Sequence, residues 1–285
     1  MALVELKAFE LEAGDGYRLG ATLFGSGDFA VLVMPATGVP QEYYARFAAY
    51  LAESGFSVLT FDYRGIGRSR QGDVRTSTAR MRDWALLDGA AAFTFLQKIH
   101  PRICVIGHSF GGQALGLLPQ PESIAAALVV GSQSGYWKNW PALGRLWMWP
   151  VTHFALPFVS RLRGYFPASR FGFGEDLPKG VAIEWARWCR NPRYLVGDLG
   201  VEAEYARFRA PLRAYAITDD PFAPERAVRA LGALYPNSKW ETRKVTPREL
   251  GVTSIGHFGF FRERFRDTLW RDACEWLAGH RTMAA

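Results

Sequence analysis

Ile103-Cys-Val-Ile-Gly107-His108-Ser109-Phe110-Gly111-Gly112 is a short apolar run that ends on a serine flanked by small residues. A continuous apolar run of this length suits a strand buried on both faces. A serine on a sharp strand-to-helix turn is presented bare at the carboxyl edge of a sheet. The turn needs small residues two positions to either side, because strand and helix approach closely there. Gly107 and Gly111 meet that need, and Gly112 adds room. The N-terminus of the following helix also favours negative charge developing at the serine. The structural alternative is a glycine-rich turn with a capping serine. A second stretch, Gly131-Ser-Gln-Ser-Gly135, has Gln133 at its centre and does not fit the pattern.

Outward from this turn, strand and helix signals alternate. Val4–Glu12 and Tyr17–Phe24 read as an antiparallel hairpin turned by Ala13-Gly-Asp-Gly16. Ala30–Pro35 and Phe56–Phe61 are short apolar strands. Between them, Glu42–Ser54 sets Tyr43, Phe47, Tyr50 and Leu51 on one helical stripe, closed by Gly55. A helix from Asp83 to Lys98, the strand Arg102–Ile106, the helix after Ser109 and the strand Ile124–Val130 follow. This alternation predicts an α/β fold with a doubly wound, mostly parallel sheet. The pattern breaks at Gly131 and resumes with strand Leu212–Ile217, a helix near Glu225–Leu234, strand Lys239–Val245 and a last helix from Arg262 to Leu277. The break is rich in Pro, Gly, Arg and aromatics, with six of the ten tryptophans. The chain therefore reads as a core of residues 1–131 and 206–285 with a mainly helical cap inserted at 132–205.

Composition bounds the rest. The 285 residues are 49% hydrophobic and 21% charged, as in a globular protein with a large core. The formal charge of +7 is concentrated between Tyr136 and Tyr215, where twelve Lys/Arg face six Asp/Glu. Nowhere do five like charges run together, so a solvated surface is expected and a nucleic-acid partner is not. No run reaches the roughly 18–20 apolar residues of a membrane span, so stable membrane insertion is not expected. The cap tryptophans do suit an interface, which keeps a membrane-surface lipase among the readings. Cys104, Cys189 and Cys274 are far apart and odd in number, which points to reduced thiols rather than a disulfide framework or zinc site. The opening Met1-Ala-Leu-Val-Glu-Leu-Lys7 lacks the pattern of a signal peptide. A cytoplasmic location is the expectation.

Gly107-His-Ser-Phe-Gly111 together with Asp62-Tyr-Arg-Gly-Ile-Gly-Arg-Ser69 resembles the α/β-hydrolase superfamily. Within it, the similarity is to the serine-hydrolase branch that includes monoglyceride lipase-like and serine aminopeptidase-like sequences. The resemblance spans residues 1–131 and 206–285. It implies a Ser-His-Asp triad in the chain order serine, acid, histidine, with Ser109 as nucleophile. A serine hydroxyl needs a base to take its proton, and imidazole has the matching pKa. Three histidines follow Ser109. His153 lies in the cap and His280 near the end, whereas His257, between the last strand and last helix, has the position the family gives its base. Asp219 and Asp220 both follow the strand Leu212–Ile217. Asp220-Pro-Phe-Ala-Pro224 matches the family spacing, so Asp220 is favoured as triad acid, with Asp219 left to cap the following turn.

The resemblance also implies an oxyanion hole of two backbone N–H groups. Phe110, just after the nucleophile, supplies one. Alignment assigns the other to Thr37, although Met34-Pro35-Ala36-Thr37-Gly38 departs from the family's His-Gly turn. The Asp62–Ser69 segment reads as a structural turn beside the site rather than a dinucleotide loop. Trp137, Trp140, Trp185 and Trp188 are the candidate substrate-binding residues of an apolar cap, or else members of its own small core. The expected activity is acyl transfer to water on a hydrophobic small-molecule ester, with no metal or organic cofactor implied. A thioesterase or amidase would use the same triad, and a non-catalytic ligand-binding protein on a hydrolase scaffold is the reading from another class.

Overall fold

The structure, a computed structural model, describes residues 6–281. Val4 and Glu5 of the expected first strand, and most of the opening Met1–Lys7, lie outside the described residues. Eight strands form one sheet: β1 (Leu6–Glu12), β2 (Arg18–Phe24), β3 (Phe29–Met34), β4 (Phe56–Phe61), β5 (Ile103–His108), β6 (Ile124–Val130), β9 (Leu212–Ile217) and β10 (Trp240–Val245). Their spatial order is β1-β2-β4-β3-β5-β6-β9-β10. β1 pairs with β2, and β2 with β4, antiparallel; every other pairing is parallel. This is the mostly parallel α/β sheet that the alternation predicts, in the α/β-hydrolase fold that the resemblance implies.

β3, β4, β5 and β6 are buried along their whole length. Helices cover both faces, so successive side chains enter two different cores, and the polar Ser57 and Thr60 of β4 are accommodated by hydrogen bonds to the Gly27 carbonyl and the Gln41 amide oxygen. Leu32, Met34, Ile103 and Val105 join one core. Val31, Val33, Cys104 and Ile106 join the other, under helices Ala45–Glu53 and Arg271–Ala278. Cys104 and Cys189 are buried and Cys274 is half-buried; all three are free thiols.

The helices are less regular than their periodicity predicts. The expected Asp83–Lys98 helix opens with Met81–Asp83, widens into a π-helical stretch Trp84–Gly89 and continues as Ala90–Ile99. In the widened stretch the Trp84 indole donates to the Arg64 carbonyl at 3.0 Å, and Asp88 accepts from the Arg64 backbone at 2.8 Å. The last helix likewise begins as a 3₁₀ turn, Glu263–Phe265, and a π turn, Arg266–Trp270. Such insertions serve tertiary contacts and leave no mark on a 3.6-residue period.

Between β6 and β9 lies the aromatic insert. It carries a helical run from Ala142 to Arg163, a two-residue ribbon of β7 (Tyr165–Phe166) and β8 (Leu177–Pro178), and helices Lys179–Trp188, Tyr194–Leu199 and Glu202–Arg207. Two contacts tie it to loops at the carboxyl ends of β3 and β4. The Glu175 N–H donates to the Gly38 carbonyl at 2.7 Å, and its carboxylate accepts from the Gly67 N–H at 3.1 Å. Among the described residues no helix is long and apolar enough to cross a membrane.

Candidate active site

Ser109 follows β5 in the middle of the sheet with φ 50° and ψ −112°, a conformation that non-glycine residues rarely adopt. Strain of this kind costs about 1–3 kcal/mol and persists only where the surroundings over-determine it. The surroundings are close. A Cβ on Gly107 would lie 2.3 Å from the Gly112 Cα, and one on Gly111 would lie 2.1 Å from the Met34 carbonyl oxygen. The Ser109 N–H donates to the Val130 carbonyl at 2.9 Å, and its own carbonyl accepts from Gly112 and Gln113 at 3.1 and 3.2 Å. The serine is thus pinned between the ends of β5 and β6.

Asp220 and His257 meet beside that point. The His257 Nδ1 lies 2.7 Å from Asp220 Oδ2, with both side chains buried. A Cβ on Gly131, the residue after Val130, would sit 3.0 Å from His257 Nδ1 and 3.1 Å from Asp220 Oδ2. The pair therefore packs against the same strand end that holds Ser109. The other oxygen of Asp220 accepts from the Phe222 and Ala223 N–H groups at 2.8 and 3.1 Å, which fixes the carboxylate plane. A carboxylate held this way orients an imidazole and stabilises its protonated form. Asp219 does something else. Its Oδ2 accepts from the N–H groups of Ile255 and Gly256 at 2.9 and 3.2 Å, so it caps the loop that carries His257 rather than the turn after β9.

The Met34–Gly38 turn approaches from β3. Val39 N–H donates to the Ala36 carbonyl at 3.2 Å and Gly38 has φ 71°, a tight turn whose third residue must be left-handed. The Ala36 N–H is taken by the Tyr44 hydroxyl at 2.9 Å. Thr37 stands at the second position of the turn, where the N–H is not used to close it. Phe110 opens the short helix Phe110–Gln113, ahead of the first two donors to the Ser109 carbonyl.

His108 is a residue the sequence reading did not single out. Its ring is fully buried; Nδ1 lies 2.8 Å from the Tyr44 hydroxyl and Nε2 lies 3.0 Å from the His257 carbonyl oxygen. The neutral tautomer protonated at Nε2 satisfies both contacts. A chain then runs from the Ala36 N–H through the Tyr44 hydroxyl and His108 to the His257 backbone, linking the Thr37 turn to the His257 loop. Burial, followed by the nearby His257, holds the His108 pKa well below the usual imidazole value. The unfolded chain takes up a proton near pH 6.5 where the folded protein does not, so the stability is present above pH 6.5 and lost as pH falls. Between pH 7.5 and 5.5 this one group is expected to lower unfolding stability by about 1.4 kcal/mol. Urea unfolding of wild type and His108→Gln at both pH values measures it; an equal pH dependence in the two would contradict the assignment.

The four cap tryptophans take different positions. The Trp188 ring stacks on Phe110 at 6.4 Å and is fully buried. Phe110 also meets Tyr63 at 5.6 Å. Tyr63 Oη and Trp188 Nε1 are buried without a hydrogen-bond partner among the described residues. The Trp140 indole donates at 2.9 Å to the carbonyl of Pro221, next to Asp220. Trp185 donates to the Tyr194 hydroxyl at 3.1 Å, and Tyr194 donates to Gln113 at 2.9 Å, so this tryptophan reaches the helix after Ser109 through a relay. Trp137 packs with Trp140 and Met148 of the insert and with Ala227 of the core helix Glu225–Gly232 in a small cluster. Asp62 accepts from the Gln41 and Arg68 N–H groups at 2.7 and 3.0 Å, and burial raises its pKa to about 6. Among the described residues no three metal-ligating side chains gather.

A model of the "Alpha/beta hydrolase family" matches residues 30–267. Among solved structures, an esterase of Pyrococcus furiosus, Pf2001, is similar with 18% identity and a TM-score of 0.64, covering 97% of this chain and 91% of its own. Est1E of Butyrivibrio proteoclasticus, solved with ferulic acid bound, shares 16% identity with a TM-score of 0.63, covering 96% and 99%. The hypothetical protein PA2218 of Pseudomonas aeruginosa shares 15% identity with a TM-score of 0.66, covering 98% and 95%. No curated protein matches the sequence.

Proposed function

Since the chain belongs to the alpha/beta hydrolase family, we propose that it is a serine hydrolase that cleaves a hydrophobic ester by acyl transfer to water. Ser109 attacks the ester carbonyl, His257 takes its proton and returns it to the leaving alcohol, and Asp220 holds the His257 tautomer. The N–H groups of Phe110 and Thr37 receive the negative charge that develops on the carbonyl oxygen. Water then repeats the sequence on the acyl-enzyme, with His257 again as base. The observation that carries this reading is the 2.7 Å His257–Asp220 contact packed on the strand end that pins a strained serine.

Residues 132–205 act as the cap in this scheme, with Trp137, Trp140, Trp185 and Trp188 as its substrate-side residues. Trp188 on Phe110 supplies an apolar wall next to one oxyanion donor, and the unpartnered Trp188 and Tyr63 groups offer hydrogen bonds to a polar atom of the substrate. Ser109 and His257 keep only 8% exposure each, so a substrate reaches them when the cap yields. The esterase named in the Pyrococcus furiosus structure and the ferulic acid in Est1E support an ester among the possible acyl substrates.

A panel of matched acyl esters, thioesters and amides of increasing chain length tests the proposal. Higher kcat/KM for esters, rising with acyl length, is the expected result. Preference for thioesters or amides would keep the triad and change the substrate, and binding without turnover would replace the enzyme with a ligand-binding protein.

A further inference from the structure

The outer face of the insert is apolar where a globular helix is polar. Along the helical run Ala142–Arg163, Met148, Thr152, Leu156 and Ser160 are buried at four-residue spacing and face the protein. Leu146, Phe154, Phe158 and Leu162 fall on a row two residues out of phase, interrupted by Pro150, and so on the opposite side. They are 73%, 57%, 66% and 74% exposed, and Leu143 on the same face is 80% exposed. A surface helix ordinarily turns polar side chains to solvent, whereas this run, with Met148 and Leu156 already buried, shows a second row of large apolar side chains on its outer face. A contiguous surface of this kind marks a docking site.

Charge identifies the occupant. From Ser123 to Gly174 the sequence has no Asp or Glu but five Lys/Arg. Arg161 and Arg163 are exposed at the C-terminal end of the apolar stripe and Arg170 is exposed in the turn that follows β7; among the described residues none of the three enters an ion pair. Arg187 and Arg193, later in the insert, are by contrast paired with Asp198 and Glu202. Trp149, 44% exposed, adds the amphipathic ring favoured at a lipid–water boundary. A second copy docking through this face would set the arginines of a net-basic patch against themselves, which is electrostatically unfavourable. An anionic bilayer offers what the face lacks, negative headgroups for the arginines and hydrocarbon for the Leu/Phe stripe.

We propose that the helical run Ala142–Arg163, with Arg161, Arg163 and Arg170, is a docking surface for an anionic phospholipid membrane. The protein lies on the bilayer with Phe154, Phe158 and Leu162 in the headgroup–acyl boundary. The proposal extends the catalytic reading to a lipid-borne ester but is tested without turnover, so failure of either leaves the other standing.

The experiment is flotation of the full chain with vesicles of phosphatidylcholine alone and of phosphatidylcholine with phosphatidylglycerol, alongside light scattering of the free protein. Binding is expected to be much stronger to the anionic vesicles. Arg161→Gln/Arg163→Gln/Arg170→Gln should weaken it on the order of a hundredfold, and Phe154→Ser/Phe158→Ser/Leu162→Ser at least about tenfold. These side chains face solvent, so both variants keep the fold, checked by circular dichroism. Absence of flotation with anionic vesicles, retention by the serine variant, or a wild-type dimer that the serine variant converts to monomer would each overturn the proposal.

Discussion

Ser109→Ala is expected to lower kcat for ester hydrolysis by about a million-fold while leaving the protein folded. The size follows from the proposed triad acting as a unit: without the hydroxyl, neither His257 nor Asp220 would have a proton transfer to serve. The structural cost is small because alanine meets the same backbone as serine. Ser109 sits at φ 50° and ψ −112°, and both residues bear one Cβ there. The backbone contacts to Val130, Gly112 and Gln113 do not involve the side chain. Thermal unfolding within a few degrees of wild type, together with lost turnover, separates chemistry from folding. Appreciable residual turnover would move the nucleophile elsewhere.

The second large effect distinguishes two adjacent aspartates. Asp220→Asn is expected to reduce kcat by about ten-thousand-fold, whereas Asp219→Asn should stay within about tenfold. In the Asp220 variant one amide oxygen can still accept from Phe222 and Ala223, which turns the NH₂ group toward His257 Nδ1. Nδ1 must then accept, the ring proton moves to Nε2, and the atom needed as base is occupied. Asp219 only accepts from the Ile255 and Gly256 N–H groups, and an asparagine oxygen does that equally well. Steady-state kinetics of both variants decides the matter; comparable losses would show that the loop cap, not the His257 tautomer, controls the rate.

The fold was legible because its central strands are buried on both faces. Residues 30–34, 103–106 and 124–130 read as apolar without interruption, and 56–61 is broken only by Ser57 and Thr60, as suits strands of a parallel sheet covered on both faces. The candidates Ser109, Asp220 and His257 stand out in the sequence for a different reason: each follows the carboxyl end of a strand or lies in the loop beyond one, where a motif or family spacing survives in linear order. His108 carries no such mark. Its partners, Tyr44 and the His257 carbonyl, lie 64 and 149 residues away in sequence, and only the folded sheet brings them within 3.0 Å. Asp219 was visible but misdirected, since the loop it caps is 36 residues downstream rather than adjacent. The π turns at Trp84–Gly89 and Arg266–Trp270 escaped because one inserted residue shifts a helical stripe without erasing it. Within the insert, Trp188 is fully buried while Phe158 and Leu162 face solvent. Aromatic content alone does not tell a core from an exposed face.

The most direct measurement is labelling by a fluorophosphonate, with the modified peptide located by mass spectrometry in wild type, Ser109→Ala and His257→Ala. An activated serine predicts one adduct, on Ser109, absent from Ser109→Ala and formed far more slowly in His257→Ala. Labelling of a different residue, or of Ser109 at an unchanged rate without His257, would contradict the account.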